Sequence, residues 1–340
     1  MRTERPHLPA PGGGLSADMN RVPGPRVYDT ADDLWAVTAY FNPAGDRSRA
    51  LNYEVFRRRI VDSNLHLLTV ECAFGDAPFV LPASSDVLQV RSRHVMWQKE
   101  RLLNLAMARL PARCAKVAWL DCDIMFANPS WAVETARLLD HHALVQPFSS
   151  VIRLPRPDVV AAAHGEAASG FAAMCTKQPE LVRAGTHDRH GETGFAWAAR
   201  RSVLEAGLYD ASVVGGGDHL IAHSMSGDWE SNCVELLAGI DTPLHRHLRR
   251  WGERFFATVR GDIACVGGAV FHLWHGDLAN RDYDVRHEPP ARWGFDPDAD
   301  LHLNADGCWE WSRDKPELHR WVSDYFLRRD EDGAKALADE

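Results

Sequence analysis

Two aspartates separated by one residue follow a short apolar segment in the first half of the chain. Residues 117–120 (VAWL) are apolar, and Asp121, Cys122 and Asp123 come directly after them. Carboxylate oxygens are hard ligands that suit Mg²⁺ and Mn²⁺. Because side chains at i and i+2 of an extended segment point the same way, both carboxylates could face one ion, while Cys122 would turn into the core. The triplet predicts a divalent-cation site, with a solvated turn after a strand as the alternative.

Three consecutive glycines, Gly215, Gly216 and Gly217, precede Asp218. Glycines let the backbone approach a ligand closely and would hold the following carboxylate on a constrained turn. Asp218 could then accept a proton from a hydroxyl group and act as a general base. The alternative is a simple glycine-rich loop in which Asp218 caps a helix that begins at His219.

Two histidines, His272 and His275, follow the apolar residues 269–271. Imidazole is a common ligand of first-row metals such as Mn²⁺. In a strand the two side chains would point to opposite faces, whereas a turn after Phe271 could bring both inward. Both are candidate metal ligands, and a hydrogen-bonded structural histidine is the alternative for each.

The spacing of apolar residues predicts the elements that position these groups. Strands are predicted at residues 34–41, 65–70, 88–90, 117–120 and 143–145, with helices that end near residue 60, span residues 95–110 before Pro111, and begin at Asn128-Pro129. Strands that alternate with helices predict an α/β fold, with a mostly parallel open sheet and flanking helices. In such folds ligands bind outside the carboxyl ends of the strands, where the aspartate triplet is expected.

The bulk composition restricts the class of protein. The chain has 340 residues, of which 45% are hydrophobic and 25% charged, as in an ordinary globular protein. A net charge of −9 provides no basic field, so nucleic acid is not an expected partner. The seven cysteines show no C-x-x-C pair, and neither a secretory signal nor a long apolar stretch occurs. We expect reduced thiols, a cytoplasmic location and no transmembrane segment.

The order of the motifs resembles the GT-A glycosyltransferases, in particular the inverting β-1,4-galactosyltransferases and the polypeptide N-acetylgalactosaminyltransferase-like enzymes. The resemblance covers roughly residues 34–280. In those families a D-x-D or D-x-H motif binds Mn²⁺ and diphosphate, which corresponds to Asp121 and Asp123, and a metal-binding M-x-x-H segment is similar to the segment from His272 to His275. Their W-G-G-E-D-D-D segment, which supplies the base, is similar to the run that ends in Asp218, but its Trp and Glu are absent here.

The resemblance also implies where the two substrates bind. An aromatic strand followed by an Asn- and Arg-bearing loop meets the nucleotide in those families, which corresponds to Tyr40, Asn42 and either Arg47 or Arg49. The candidate donor-binding residues are Thr38, Tyr40, Asn42, Arg49, Glu71, Gln98 and Lys99. Arg49 and Lys99 are candidates because their positive charge could contact phosphates, with solvated surface charge as the alternative for each. The candidate acceptor-binding residues are Gly194, Trp197, Gly216, Gly217 and Trp274; the two tryptophans are included because an indole face stacks on a sugar ring.

The implied organisation has four parts. Residues 1–28 are expected to be a disordered arm, residues 29–150 a nucleotide-sugar-binding half, residues 151–325 a loop-rich acceptor-binding and catalytic half, and residues 326–340 a solvated, charged tail.

The implied function is metal-dependent transfer of a hexose or N-acetylhexosamine. The donor would be a nucleotide sugar, expected to be UDP-linked, the acceptor a hydroxyl of a carbohydrate or glycoconjugate, and the cofactor Mn²⁺ or Mg²⁺. With Asp218 as base the transfer would invert the anomeric configuration. The alternatives are a retaining glycosyltransferase of the same fold, a non-catalytic carbohydrate-binding relative, and a phosphatase of the haloacid-dehalogenase type. Met125 stands where that phosphatase family has Thr or Val, which disfavours the last alternative.

Overall fold

A computed structural model describes residues 33–157, 167–184, 189–283 and 285–333 of the chain. The predicted N-terminal arm at residues 1–28 lies outside the described residues, as do residues 334–340 of the predicted tail. None of the helices in these ranges combines the length and the apolar character needed to cross a membrane.

The described strands form one large sheet and two small ones. The strands are β1 (Leu34–Phe41), β2 (His66–Phe74), β3 (Val87–Ser92), β4 (Lys116–Leu120), β5 (Ile124–Phe126), β6 (Leu144–Gln146), β7 (Ser150–Arg153), β8 (Ala168–Ser169), β9 (Ala196–Arg200), β10 (Ile263–Cys265), β11 (Ala269–His272), β12 (Leu301–Leu303) and β13 (Trp309–Trp311). The seven-stranded sheet has the order β10-β6-β9-β4-β1-β2-β3, the second sheet β5-β11-β7-β8, and β12 pairs with β13. Within the large sheet β9 runs antiparallel to both of its neighbours, and the remaining pairs are parallel.

Helices connect the strands and cover the large sheet. They are α1 (Arg47–Asp62), α2 (Lys99–Arg109), α3 (Trp131–Leu139), α4 (Phe171–Lys177), α5 (Pro179–Ala184), α6 (Gly217–Met225), α7 (Asn232–Ala238), α8 (Pro243–Val259), α9 (Glu288–Arg292), α10 (Pro297–Asp300) and α11 (Pro316–Arg328). The predicted fold class, α/β with a mostly parallel sheet and flanking helices, is confirmed.

The alternation of side chains along β1 divides the core into two layers. Ala36 and Tyr40 pack on one face with Phe56 of α1, whereas Val37 and Phe41 pack on the other face with α2, α6 and α8. Successive side chains of a strand point to opposite faces, and because both faces are covered by helices the strand is apolar at nearly every position. This explains the unbroken apolar run in the sequence.

Two predicted helix starts are wrong in detail. The helix expected from Val95 begins at Lys99, after residues that cross the end of the sheet. The helix expected to begin at Asn128-Pro129 begins at Trp131. The Asn128 side chain instead accepts a hydrogen bond from the backbone N–H of Ser130, which stabilises a turn before the helix.

The two halves of the chain share one sheet. Strands β9 and β10, from the predicted acceptor half, pair with β4 and β6 of the predicted donor half. The predicted solvated tail is wrong for residues 326–333, because Phe326 packs in the core and Arg329 and Glu331 are buried. The physical reason is charge pairing: Glu331 forms ion pairs with the partly buried Arg49 and with Arg329, which offsets the cost of burying Glu331 and Arg329.

Candidate active site

A cavity of about 590 Å³ lies at the carboxyl ends of β1 and β4. Its lining contains all three residues of the aspartate triplet, part of the glycine loop and both predicted histidines. Its charged lining side chains are Arg49, Lys99, Arg153, Arg189, Arg281, Arg286, Arg329, Asp121, Asp123, Glu192 and Asp218. Cations therefore outnumber carboxylates by seven to four in this cavity, although the whole chain carries a net charge of −9. Such a lining suits an anionic ligand.

Asp123, His272 and His275 meet at one point of this cavity. Their ligand atoms all lie within 4.8 Å of one another. Asp123 Oδ2 is 2.9 Å from His275 Nε2, and Asp123 Oδ1 is 3.8 Å from His272 Nε2. The turn after β11 brings both histidines inward, as the sequence allowed, and the backbone N–H of Leu273 is donated to the Asp123 carbonyl. This hydrogen bond holds the turn that carries the two histidines next to Asp123.

The geometry of this cluster fits a divalent cation. The Nε2 atoms of His272 and His275 are 3.1 Å apart, close to the roughly 3 Å expected for two nitrogens that bind one ion about 2.1 Å away at a right angle. Asp123 Oδ1 is buried and has no hydrogen-bond partner, although a buried carboxylate oxygen normally has one. An ion between these atoms would give Asp123 Oδ1 the partner that it lacks.

The charges around the cluster set the protonation states of its members. Burial opposes ionisation of Asp123, but His275, His272 and Arg49 together outweigh it and lower the pKa of the carboxyl below its ordinary value. Burial lowers the pKa of His272 to about 3, against the opposing effect of Asp123. An ionised carboxylate beside a neutral imidazole is the combination that binds a metal ion.

Asp121 does not face the same point as Asp123, although the i, i+2 spacing suggested that both carboxylates could face one ion. Its Oδ1 is 2.6 Å from Lys99 Nζ, and its Oδ2 accepts a hydrogen bond from the backbone N–H of Phe195. Burial raises the pKa of Asp121 to about 6, against the opposing effect of Lys99. Among the described residues Asp121 is not part of the Asp123 cluster. Cys122 packs in the core, as predicted.

Lys99 joins Asp121 to Asp218. Its Nζ lies 2.9 Å from Asp218 Oδ2, so one ammonium group bridges the two carboxylates. Burial opposes the charged form of Lys99, but Asp121 and Asp218 outweigh it and raise the pKa of the ammonium well above its ordinary value. Asp218 therefore lies in the same cavity as Asp121, and the lysine fixes both side chains.

The three glycines place Asp218 at the start of α6. Gly215 and Gly216 have φ values of +87° and +86°, which side chains rarely tolerate. A Cβ on Gly217 would lie 2.6 Å from Glu100, so this residue is glycine because the carboxyl group of Glu100 fills the space. The alternative in which Asp218 is the N-cap of a helix from His219 is wrong, because Gly216 is the N-cap and Asp218 lies in the first turn.

The candidate donor-binding residues divide into three groups. Arg49 and Lys99 line the cavity. Tyr40, Asn42 and Glu71 line a separate cavity of about 270 Å³ at the ends of β1 and β2. Thr38 and Gln98 are buried, with side-chain hydrogen bonds to the backbone of Leu120 and Trp309, respectively.

Among the candidate acceptor-binding residues only Gly194 and Gly216 line the cavity; Gly217 and Trp274 are outside its lining. Trp197 is 2% exposed, packs in the core and donates its indole N–H to the Thr193 carbonyl. The expectation that Trp197 stacks on a sugar is wrong, because neither face of its ring is accessible. Trp274 instead packs beside Arg156, whose guanidinium carbon is 5.3 Å from the ring centroid.

Sequence reasoning missed two residues that contact His275. Arg281 NH2 lies 3.0 Å from His275 Nε2, and Glu331 Oε2 lies 3.4 Å from His275 Nδ1. Arg281 follows His275 closely, and its 8% exposure could not be predicted from a charged residue type. Glu331 lies in a charged segment that contains Arg328, Arg329 and Asp332, which has the composition of a solvated tail.

Comparisons with known proteins found similarity in structure. No protein-family model and no curated protein matches the chain. The catalytic domain of Drosophila beta1,4-galactosyltransferase 7, in complex with xylobiose, is 12% identical with a TM-score of 0.29, over 55% of this chain and 59% of that one. Glucosyl-3-phosphoglycerate synthase from Mycobacterium tuberculosis, in complex with Mg²⁺ and UDP, is 14% identical with a TM-score of 0.35, over 79% and 82% of the two chains.

A 4-diphosphocytidyl-2C-methyl-D-erythritol synthase from Anaerococcus prevotii is 11% identical with a TM-score of 0.32, over 70% of this chain and 88% of that one. The match to the Drosophila domain covers 59% of the length of that domain.

Proposed function

We propose that this protein is a metal-dependent glycosyltransferase of the GT-A type. It transfers a hexose or N-acetylhexosamine from a nucleotide sugar, UDP-linked, to a hydroxyl of a carbohydrate or glycoconjugate acceptor. The observation that carries the proposal is the convergence of Asp123, His272 and His275 in a cation-lined cavity at the carboxyl ends of parallel strands. In α/β folds this edge of the sheet is where nucleotide-type ligands bind.

The cation-rich lining supports a diphosphate as the leaving group. Arg49, Arg281 and Arg329 line the cavity that contains the Asp123 cluster, and guanidinium groups bind phosphate oxygens with two parallel hydrogen bonds. Asp123, His272 and His275 would hold Mn²⁺ or Mg²⁺. Such an ion, when bound, acts as a Lewis acid that neutralises the charge developing on a departing diphosphate.

Asp218 is the proposed catalytic base. It lines the same cavity, and its two oxygens keep free lone pairs beyond those directed at Lys99. In the proposed step the acceptor hydroxyl oxygen attacks the anomeric carbon while the carboxylate accepts the hydroxyl proton. This single displacement would invert the anomeric configuration. Lys99 holds the carboxylate in place for this step.

The halves of the chain have different proposed roles. We assign nucleotide-sugar binding mainly to residues 29–150 and acceptor binding to residues 151–325, with Gly194 and Gly216 closest to the acceptor because both line the cavity. The proposed contacts to the metal ion and diphosphate come from both parts of the chain, because His272, His275, Arg281 and Arg329 lie after residue 150. Of the residues that line the smaller cavity, the partly exposed Asn42 is proposed to contact the nucleoside, whereas Tyr40 and Glu71 are 0% and 2% exposed and support the wall of that cavity. All seven cysteines are free thiols, which supports a reducing compartment such as the cytoplasm.

The experiment that tests the proposal measures release of UDP from a panel of UDP-sugars, with and without Mn²⁺. We expect metal-dependent release in the wild-type protein and none in Asp123→Asn. Turnover of generic phosphomonoesters without UDP release would favour the phosphatase alternative. Nucleotide-sugar binding with no turnover in the presence of an acceptor panel would favour the non-catalytic alternative. Product stereochemistry measured by NMR then tests Asp218, because retention of configuration excludes it as the base.

A further inference from the structure

A second cluster of metal-binding side chains lies apart from the Asp123 cluster. His190, His219 and Cys233 place their ligand atoms within 4.8 Å of one another. His190 and Cys233 are 0% and 2% exposed, and their Nε2 and Sγ atoms are 3.4 Å apart. The cluster joins three parts of the fold, because His190 precedes β9, His219 lies in α6 and Cys233 lies in α7.

The tautomer of His190 is set by its other nitrogen. Nδ1 lies 2.7 Å from the carbonyl oxygen of Gly191. Since a carbonyl oxygen only accepts hydrogen bonds, Nδ1 carries the proton and Nε2 presents its lone pair towards Cys233. Metal-binding histidines commonly donate the second N–H to a backbone carbonyl in this way. The cluster therefore has an oriented ligand before any ion binds.

A third histidine, His223, lies beside the cluster and also has one ring nitrogen held by a hydrogen bond. His223 follows His219 by one helical turn on α6, and its ring centroid is 5.1 Å from that of His190. Its Nδ1 is 2.9 Å from Asp228 Oδ2, and its Nε2 is buried without a hydrogen-bond partner. A carboxylate on one ring nitrogen and an unsatisfied second nitrogen again match a metal-binding histidine.

We propose that His190, His219 and Cys233 bind a zinc ion; His223 lies outside the group of ligand atoms within 4.8 Å of one another and becomes the fourth ligand only when its side chain moves towards the other three. The separation of 3.4 Å between the nitrogen and the sulfur is close to the roughly 3.6 Å expected of tetrahedral Zn–N and Zn–S bonds about 2.1 and 2.3 Å long. Imidazole and thiolate ligands favour zinc over Mn²⁺ or Mg²⁺. The two clusters differ in their ligands, because only this one contains a thiol.

Zinc binding would fix the part of the fold that carries Asp218. His219 follows Asp218 directly in the first turn of α6, and His190 is joined through Gly191 to the segment that lines the cavity. Burial raises the pKa of the Cys233 thiol to about 12, so the metal-free thiol keeps its proton. Binding of zinc displaces this proton to solvent, and the thiolate bonds to the ion.

The test is a Co²⁺ titration of the chelator-treated protein, followed by absorbance. Cobalt bound by a thiolate gives a near-ultraviolet charge-transfer band, whereas cobalt at the Asp123 cluster has no sulfur ligand and gives none. We expect the band in the wild-type protein, saturation at one equivalent at this site, and loss of the band when Zn²⁺ displaces Co²⁺. Metal analysis of the purified protein should find bound zinc.

Variants identify the ligands and separate this proposal from the proposed function. Cys233→Ser and the partly exposed His219→Gln should each lose the band, and when either is combined with Asp123→Asn the protein should also lose its thermal stabilisation by Zn²⁺. Cys265→Ser, at a partly buried thiol outside the cluster, should keep the band, and so should Asp123→Asn alone. Absence of the band and of bound zinc in the wild-type protein overturns the proposal and leaves a thiol-to-imidazole hydrogen bond between Cys233 and His190. Persistence of the band in Cys233→Ser also overturns it, whether or not the protein transfers sugars.

Discussion

The Nδ1 atom of His275 lies 3.4 Å from the Oε2 atom of Glu331 in the C-terminal segment. A carboxylate at this position orients a metal-binding imidazole and makes its Nε2 a stronger ligand. Glu331 cannot turn towards solvent easily, because Arg49 NH1 holds the same oxygen at 2.9 Å. The segment after α11 therefore orients one ligand, His275, of the proposed metal site.

We predict that Glu331→Gln lowers the affinity for Mn²⁺ on the order of 10- to 100-fold. The amide keeps the size of the side chain but removes the charge that faces His275. Isothermal titration calorimetry with Mn²⁺ measures the change. Asp332→Asn is the matched control, because Asp332 accepts hydrogen bonds from Arg47 and Ser48 at the start of α1 and does not face His275. Equal affinities of wild type and Glu331→Gln would contradict the role assigned to Glu331.

A second prediction concerns removal of the metal ligands. Mn²⁺ at about 100 times its Kd should stabilise the wild-type protein by roughly 2.7 kcal/mol, because the ion binds only the native state. Thermal unfolding with and without Mn²⁺ should show this stabilisation, and a chelator should abolish it. Asp123→Asn and His275→Ala should show no Mn²⁺-dependent shift, whereas His302→Ala, at an exposed histidine, should behave as wild type. A full shift in Asp123→Asn would exclude this cluster as the binding site.

The sequence predicted the parts of the site that depend on local periodicity. The apolar run of β4 located the aspartate triplet at the carboxyl edge of the sheet, and this location holds. It did not predict that Asp121 pairs with Lys99 while Asp123 meets the histidines, because these partners depend on how α2 and β11 pack against the triplet. Trp197 shows the same limit, since an aromatic residue near a motif is indistinguishable in sequence from a core residue of β9.

The third prediction concerns the lysine bridge. Lys99→Met removes the one ammonium that faces both Asp121 and Asp218, and leaves two partly buried carboxylates close together. Removing one partner of such a buried ionic group costs on the order of 3–5 kcal/mol of unfolding free energy. Urea unfolding at neutral pH measures the loss, which should shrink at acidic pH as the carboxyls become protonated. Lys177→Met, at an exposed lysine, controls for the loss of charge. A loss no larger than that of the control would show that the bridge contributes no stability.

The fourth prediction separates backbone strain from steric contact in the glycine loop. Gly216 and Gly45 both have positive φ values, +86° and +76°. A Cβ at Gly216 would lie 2.9 Å from His287 Cε1, whereas nothing lies within 4 Å of a Cβ at Gly45. Gly45→Ala should therefore cost about 1 kcal/mol of stability from strain alone, and Gly216→Ala at least about 2 kcal/mol. Chemical denaturation measures both, and equal losses would contradict the assigned contact.

The fifth prediction concerns Glu100, which lies under the glycine loop and gives a pH dependence with a defined sign. Burial, reinforced by Asp218, raises the pKa of Glu100 to about 8, against the opposing effects of Lys99 and a hydrogen bond from Trp97. The ordinary carboxyl pKa of glutamic acid is 4.5, so between these values the folded chain holds a proton that the unfolded chain has released. The contribution of this group to stability is therefore greatest below about pH 4.5 and falls as the pH rises towards about 8.

Glu100→Gln should remove this pH dependence. The amide keeps an acceptor for the indole N–H of Trp97 and carries no charge at any pH, so the variant should be more stable than wild type near pH 8, on the order of a few kcal/mol. Near pH 5 the difference should be small, because the wild-type carboxyl is already protonated in the folded chain. Urea unfolding across this pH range measures the difference. Glu54→Gln, on the exposed face of α1, is the control, and its stability should change with pH as that of wild type does. The stability difference between Glu100→Gln and wild type could instead be the same at both pH values. That result would mean that Glu100 is ionised in the folded protein, so that a buried charge lies under the loop that carries Asp218.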